Sequence, residues 1–421
     1  MAAKKQIDNE VSSKSKLLAS FQSRLSKSKD KSVLGDAEFD VMYSTGFLSL
    51  DYLNGTMVHV KSDTINTSYR AIGLVDGSAN TIISRPGCGK STLSTQIIGN
   101  ILRKFPMANA YIDDIEGSLP AIRKEFLLGL SQEELKARVS IRDRGITTEN
   151  VYNRIRAIRD IKIENKEEYT YDTGLYDTFG NRIYKFYPTL YFIDSFAMLM
   201  PNDINEDDEL DGGMGATATA KKNTQLVKKI SQLLKEANII LITINHILDD
   251  IQMGFLPKPV QVSGLKQGER LPGGKAAIYL ANNMFRMDEK STLKESEAYG
   301  INGTVVDIGI VKSRTNVNKR SVPLIFNKSV GAFDNTLSLF HLLKTEGRVG
   351  GAGSYLYLEN LPDVKFSQKN FKNVLNENTE LQQAFVSLCK DVLDGFLSNT
   401  INQEMDTSKV FDINANMSIF D

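Results

Sequence analysis

The chain has 421 residues, 41% of them hydrophobic, and its 51 Lys+Arg are matched by 51 Asp+Glu. This length suits two or three domains with full cores, and the charge balance excludes a global basic field, so any nucleic acid must meet a local patch or groove. The only cysteines, Cys88 and Cys389, lack disulfide-framework or metal-ligand spacing, and no apolar run is long enough to cross a membrane, so the expectation is a protein of the reducing cytoplasm.

Residues 1–38 are basic and serine-rich, with Leu18, Phe21 and Leu25 on one helical stripe. Such a stripe needs a surface to pack on, so the segment reads either as a frayed leader or as an arm docking on a neighbouring protomer. From Ser44 the chain reads STGFLSLDYLNG, with turn residues at both ends, and leads to the apolar run Thr81-Ile82-Ile83. After that run comes SRPGCGKST, spanning Ser84, Arg85, Pro86, Gly87, Cys88, Gly89, Lys90, Ser91 and Thr92, and then a helical segment over Leu93 to Leu102. A strand, a glycine-bearing turn and a helix N-terminus gather unpaired backbone N–H groups at one point, where phosphate is favoured by hydrogen bonds and helix dipole together. Lys90 is placed to reach the β/γ-phosphates of ATP, and the Ser91 hydroxyl to ligate Mg²⁺. Ser84 stands where the motif ordinarily has its first glycine; a turn with φ > 0 there would strain it. Cys88 reads as a small spacer.

Ala110-Tyr111-Ile112 is a second apolar strand, expected beside the first, and is followed by Asp113, Asp114 and Glu116. All three acids compete for the role of orienting the attacking water, with Glu116 preferred. Helical segments follow at 120–136 and 149–164. The stretch 167–188, rich in Tyr and Phe around Gly-Asn-Arg, reads as a β-hairpin insertion that either stacks on bases or packs on the core. Leu190 to Ile193 is a third strand, ending at Asp194, which suits the acid of the metal shell. The loop 202–215 holds Asp203, Glu206, Asp207, Asp208, Glu209 and Asp211 before Met214 and Gly215. A helix is expected from about Thr217 to Ala237, then a fourth strand to Ile244 with Asn245 and His246 at its end. His246 is positioned to sense the γ-phosphate, although a lone histidine is more often structural.

Residues 248–275 form a long loop containing Phe255, Lys258, Lys266, Arg270, Gly273, Gly274 and Lys275. Cations with an aromatic fit a single-strand groove; a merely solvated loop is the competing reading. Strands are expected at 304–312 and 320–327, flanking Lys312-Ser313-Arg314. Residues 335–400 read as a small mixed domain with helices near 336–345 and 380–396, and 401–421 as a flexible acidic tail.

Taken in order, these motifs resemble the RecA-type recombinases, most closely their bacteriophage UvsX branch. STGFLSLDYLNG is similar to the family's lead-in, SRPGCGKST to its phosphate loop apart from Ser84, and YIDDIEG to the segment bearing the catalytic glutamate, best matched by Glu116. YFIDS resembles the Asp-Ser strand end at Asp194, Met214-Gly215 the first DNA-binding loop, ITINH the sensor strand with His246, and LPGGKAAIY the end of the second DNA-binding loop. IVKSRTNVNKRSVPLIF resembles the strand whose cations reach ATP on the adjacent protomer, here Lys312 and Arg314. The resemblance covers about residues 40–335. It implies an α/β fold with a RecA-like P-loop ATPase core and mostly parallel sheet over 39–334, an N-terminal helical docking arm and a small C-terminal α+β domain. It also implies an ATP- and Mg²⁺-dependent filament on single-stranded DNA that pairs with double-stranded DNA and exchanges strands in recombination and repair. A single-strand-binding protein and a loader would be its accessory partners, the acidic tail a modulator of DNA access or a partner site, and the host cytoplasm its location. A DnaB-type hexameric helicase shares the lead-in, the R-P-x-x-G-K loop and the K-x-R strand, but a core starting near residue 40 leaves no room for its N-terminal domain. A catalytically slow mediator that only assembles on DNA is the third reading.

Overall fold

A computed structural model describes residues 41–61, 65–177, 180–202, 214–249, 264–272, 278–279, 281–293, 301–314 and 320–397. The expected arm and the acidic tail lie outside the described residues. The first half contains β1 (Met42–Tyr43), α1 (Leu48–Leu53), β2 (Thr56–Lys61), β3 (Asn66–Ala71), β4 (Leu74–Val75), β5 (Ala79–Ser84), α2 (Lys90–Lys104), β6 (Asn109–Asp114), α3 (Ala121–Leu128), α4 (Gln132–Arg138), β7 (Val139–Arg142) and α5 (Thr148–Glu164). After a short helix, α6 (Lys166–Tyr169), come β8 (Thr170–Tyr176), β9 (Arg182–Phe186), β10 (Thr189–Asp194), α7 (Met214–Glu236), β11 (Ile239–His246), β12 (Leu248–Asp249), β13 (Glu269–Arg270), β14 (Asn283–Leu293), β15 (Gly303–Lys312), β16 (Ser321–Asn327) and β17 (Ala332–Asp334). The remainder is α8 (Asn335–Thr345), β18 (Val349–Gly350), β19 (Leu356–Leu358), β20 (Leu361–Phe366), α9 (Phe371–Glu377) and α10 (Thr379–Asp394).

A nine-stranded sheet in the order β17-β16-β15-β14-β5-β11-β10-β6-β7 organises the molecule. The run from β14 to β7 is parallel throughout, while β15, β16 and β17 add antiparallel strands at one side. Every residue of β5 and β10 is buried, and so is all of β11 except His246. Such continuous apolar runs suit strands covered on both faces. On one face, Val151, Ile155 and Ile158 of α5 and Leu226, Val227, Ile230 and Leu234 of α7 pack with Tyr191, Ile193, Ile239 and Leu241. This is an α/β architecture with a mostly parallel sheet, compatible with a P-loop-type core. Among the described residues no helix is long and apolar enough to cross a membrane.

The second strand does not lie beside the first: β11 and β10 separate β6 from β5. The central places go to the runs that are apolar throughout, whereas β6 alternates partly buried and buried residues along its first half. The helical segment over 120–136 is two helices, because Gly129 ends α3 with φ 61° and Ser131 starts α4 with a capping box to Glu134. The α7 helix starts at Met214 rather than near Thr217, so Met214 and Gly215 open a helix instead of closing a loop.

The segment 167–188 does form an antiparallel hairpin, β8 with β9. Its Tyr171 stacks on Tyr187 at 4.8 Å, meets Phe105 edge-on at 5.8 Å and bonds the Tyr43 hydroxyl at 2.9 Å, so this ring packs on the body of the protein, while Tyr184 is exposed. Beyond α8, a small sheet β18-β19-β20 and helices α9 and α10 close around Phe340, Phe366, Phe371 and Phe385, with Phe340 and Phe371 stacked at 4.2 Å. Arg70 of β3 ties this part to the rest through paired bonds of 2.6 and 2.5 Å to Asp394 of α10.

Candidate active site

Strand C-terminal ends bring the predicted chemistry to one edge of the sheet. The register pairs His246 with Ser84 and Asp194 with Asp114 across neighbouring strands. The loop leaving β5 turns at Gly87 and Gly89, whose φ values are +86° and +85°, a region open to glycine at little cost. Gly89 is also the N-cap of α2, with no side chain capping the helix, and a Cβ there would meet the Phe333 ring at 3.1 Å. The first backbone N–H groups of α2 therefore have no side-chain cap, an arrangement compatible with a phosphate cradle. Ser84 ends β5 without positive φ, since Asn238 is the only non-glycine with positive φ among the described residues. The strained turn considered for Ser84 is not present. Its hydroxyl instead donates to the Arg85 carbonyl at 2.6 Å and accepts from Lys90 Nζ at 3.0 Å. Cys88 is buried within the loop, Pro86 is exposed, and Thr92 is buried in the first turn of α2.

Lys90 is 5% exposed, and burial pushes its ammonium below the ordinary lysine range, opposed by its electrostatic interactions with Cys88, Asp194 and Glu116. Its Nζ also reaches the Ser84 and Arg85 carbonyls, each at 3.3 Å, and His246 Nδ1 at 3.3 Å. The other ring nitrogen, Nε2, lies 3.0 and 3.1 Å from the two carboxylate oxygens of Glu116. One tautomer satisfies both contacts: Nε2–H donates to Glu116 while Nδ1 accepts from Lys90. A continuous line Lys90–His246–Glu116 results.

Asp113 and Asp114, which end β6, and Glu116, which follows it, differ in their partners. Asp113 accepts from Arg142 at 3.1 Å, Arg154 at 3.0 Å and the Tyr191 hydroxyl at 2.5 Å. Asp114 accepts from Lys124 at 2.5 Å and the Ser118 backbone N–H at 3.1 Å. Both are buried and committed to structure. Glu116 is aimed differently: the N–H groups of Ile115 and Glu116 both donate to the Asp194 carbonyl, at 2.7 and 3.1 Å, turning its carboxylate toward His246.

Asp194 receives the Ser91 and Ser118 hydroxyls on Oδ2, each at 2.6 Å. Its Oδ1 is buried and, among the described residues, has no hydrogen-bond partner. Burial raises its carboxyl above the usual range, while the two hydroxyls pull it back. A carboxylate sharing a serine hydroxyl on one oxygen, with its other oxygen unpartnered, would fit Mg²⁺, which takes hard oxygen ligands. Among the described residues no group of three or more His, Cys, Asp or Glu is arranged to hold a metal alone. An ion here would draw its remaining ligands from water and substrate phosphate.

Lys312 and Arg314 stand elsewhere. Lys312 pairs across β14 at Met284, which pairs with Thr81, whereas the phosphate loop leaves β5 after Ser84. That is three residues toward the opposite edge, on the order of 10 Å. Arg314 lies further along, lining a cavity of about 290 Å³ with Gly77, Lys228 and Lys235. Lys312 Nζ donates to the Ile278 carbonyl at 2.7 Å, and burial followed by the charge of Arg314 lowers its ammonium below the ordinary range.

Of the DNA-binding candidates, Phe255, Lys258, Gly273, Gly274 and Lys275 lie outside the described residues. Lys266 and Arg270 are exposed, Arg270 in the short antiparallel pair β12–β13. Met214 and Gly215 occupy the first turn of α7. Ser118, just past the YIDDIEG stretch, has no sequence signal of its own yet joins Asp194 at 2.6 Å. Arg85, a member of the phosphate-loop motif, directs its exposed guanidinium to Asp249, at 2.6 and 3.2 Å. A scan against protein-family models found no match, and a search of curated proteins found none either.

Proposed function

We propose that the chain is a RecA-type recombinase, an ATPase that assembles as a filament on single-stranded DNA and exchanges strands with a homologous duplex. The observation that carries this reading is the division of its charged groups. Lys90, Ser91, Asp194, Glu116 and His246 share one edge of the sheet, while Lys312 and Arg314 stand toward the other. A head-to-tail neighbour would bring the second set to the first, a heterologous contact that propagates as a ring or a helix. The choice of a strand-exchanging filament rests on the ordered motifs from STGFLSLDYLNG to IVKSRTNVNKRSVPLIF.

The chemistry follows from the groups present. The loop N–H groups and Lys90 would hold the triphosphate, and Lys90 would exchange its contacts with Ser84, Arg85 and His246 for phosphate oxygens. Glu116 would orient the attacking water and accept its proton, with His246 fixing the carboxylate until the γ-phosphate draws the imidazole away. The neighbour's Lys312 and Arg314 would meet the charge that gathers on the transferred phosphoryl group. When bound, Mg²⁺ would be held by Ser91 Oγ and Asp194 and would supply charge neutralisation at the phosphate oxygens.

Mixing tests the shared site. Lys90→Ala and Lys312→Ala proteins are each expected to be inactive in ATP turnover, and their mixture to recover part of it. Mixed assemblies that form yet stay inactive would contradict a site completed in trans.

A further inference from the structure

We infer that Arg85 is a positioning residue that ties the phosphate loop to the stem carrying Arg270, with Lys266 beside it, so that nucleotide binding and single-stranded DNA binding are coupled through the Arg85–Asp249 pair. The inference rests on the recombinase reading above.

Two ion pairs of different character meet at the stem. Glu269, opposite Asp249 in the β12–β13 register, is held by Arg286 at 2.6 and 3.0 Å, and Arg286 also binds Asp288 at 2.7 and 3.0 Å and the Gly264 carbonyl at 2.9 Å. The Arg286 and Glu269 side chains are only 8% and 6% exposed. Removing either partner would strand a buried charge, so this clip is a permanent part of the fold. Arg85 and Asp249 make a bidentate pair as well, but their side chains are 50% and 70% exposed. Arg85 also lies 3.8 Å from Glu269. An exposed pair contributes little to stability, and it can open and close without cost to the fold.

The backbone that aims Arg85 belongs to the surroundings of Lys90. The carbonyls of Ser84 and Arg85 both accept from Lys90 Nζ, and the Ser84 carbonyl also accepts from Ile247 N–H at 2.8 Å. His246, the next residue, contacts Lys90, and Asp249 follows two residues after Ile247. Drawing Lys90 onto a phosphate would release two of the bonds that hold the Ser84–Arg85 backbone, and so shift the guanidinium relative to Asp249. Lys266 donates its backbone N–H to Glu269 at 2.7 Å, and Arg270 adjoins Glu269 in β13. The stem thus carries one exposed cation, Arg270, with a second, Lys266, just before it, and both suit a nucleic-acid backbone. Coupling of this kind is reciprocal: whatever nucleotide does to DNA affinity, DNA must do to nucleotide affinity.

The test varies Asp249, which stands outside the phosphate cradle. Affinity of the full chain for a labelled thymidine oligonucleotide is measured by fluorescence anisotropy, with and without a non-hydrolysable ATP analogue. Wild type is expected to bind more tightly with the analogue. In Asp249→Asn the ratio of the two affinities should fall by about two- to five-fold, the range of one exposed ion pair, and Asp249→Glu should restore it. Urea-unfolding midpoints equal to wild type in both variants would show that the fold is intact, as expected for an exposed pair. A wild-type ratio in Asp249→Asn, or an equal loss in Asp249→Glu, would overturn the role of the pair. A ratio of one in the wild type would overturn the recombinase reading, and the inference with it.

Discussion

The carboxylate of Glu116 lies 3.0 and 3.1 Å from Nε2 of His246, while Nδ1 of the same ring lies 3.3 Å from Lys90 Nζ. A single imidazole therefore bridges Lys90 and the acid proposed to orient the attacking water. Glu116→Gln keeps the shape and removes the base, so ATP turnover should fall by about 10² to 10⁴-fold with nucleotide affinity retained. Single-turnover hydrolysis beside equilibrium nucleotide binding checks this. Hydrolysis within a few-fold of wild type would take the role away from Glu116.

Asp114 should behave quite differently. It forms a 2.5 Å ion pair with Lys124, whose side chain is 8% exposed, and Asp114→Asn leaves that ammonium buried without its counter-charge. Unfolding free energy should drop by about 3–5 kcal/mol, measured by urea denaturation. A variant of wild-type stability with abolished ATPase would mean that Asp114, not Glu116, carries the chemistry.

Ser84→Gly tests the one departure from the phosphate-loop pattern. The residue has no positive φ, and its hydroxyl links Lys90 Nζ to the Arg85 carbonyl. Glycine relieves no strain here and adds chain entropy to the unfolded state, so stability should fall by about 1 kcal/mol. A higher melting temperature in Ser84→Gly would show that the serine is strained after all.

Stability should respond to acid through Glu269. Hydrogen bonding to Arg286 pulls its carboxyl from 4.5 down to about 2, against the opposing effect of burial. A carboxyl with a depressed folded-state pKa stabilises fully above its unfolded value and loses that contribution as pH falls through the folded one. The gap in unfolding free energy between wild type and Glu269→Gln should therefore be widest above pH 4.5 and close as pH approaches 2. A gap independent of pH would contradict the pairing.

Much of the edge that bears Lys90, Ser91, Asp194 and His246 was legible because each residue ends or follows a strand written as an apolar run, and one rule about strand ends gathers them. The order of those strands was not legible. Nothing local in Ala110-Tyr111-Ile112 says that two later strands will enter between it and β5. Three acids within four residues also look alike in sequence. Only Arg142, Arg154, Tyr191 and Lys124, which come from other elements, separate Asp113 and Asp114 from Glu116. Arg85 and Asp249 meet across 164 residues, a contact that no short pattern can announce.

The central claim, an ATP site shared between successive copies on single-stranded DNA, is tested most directly by electron microscopy of the full chain with ATP, Mg²⁺ and single-stranded DNA. The account predicts continuous helical filaments that form with ATP and are lost in Lys90→Ala. Discrete six-membered rings, or protein that stays monomeric on the DNA, would contradict it.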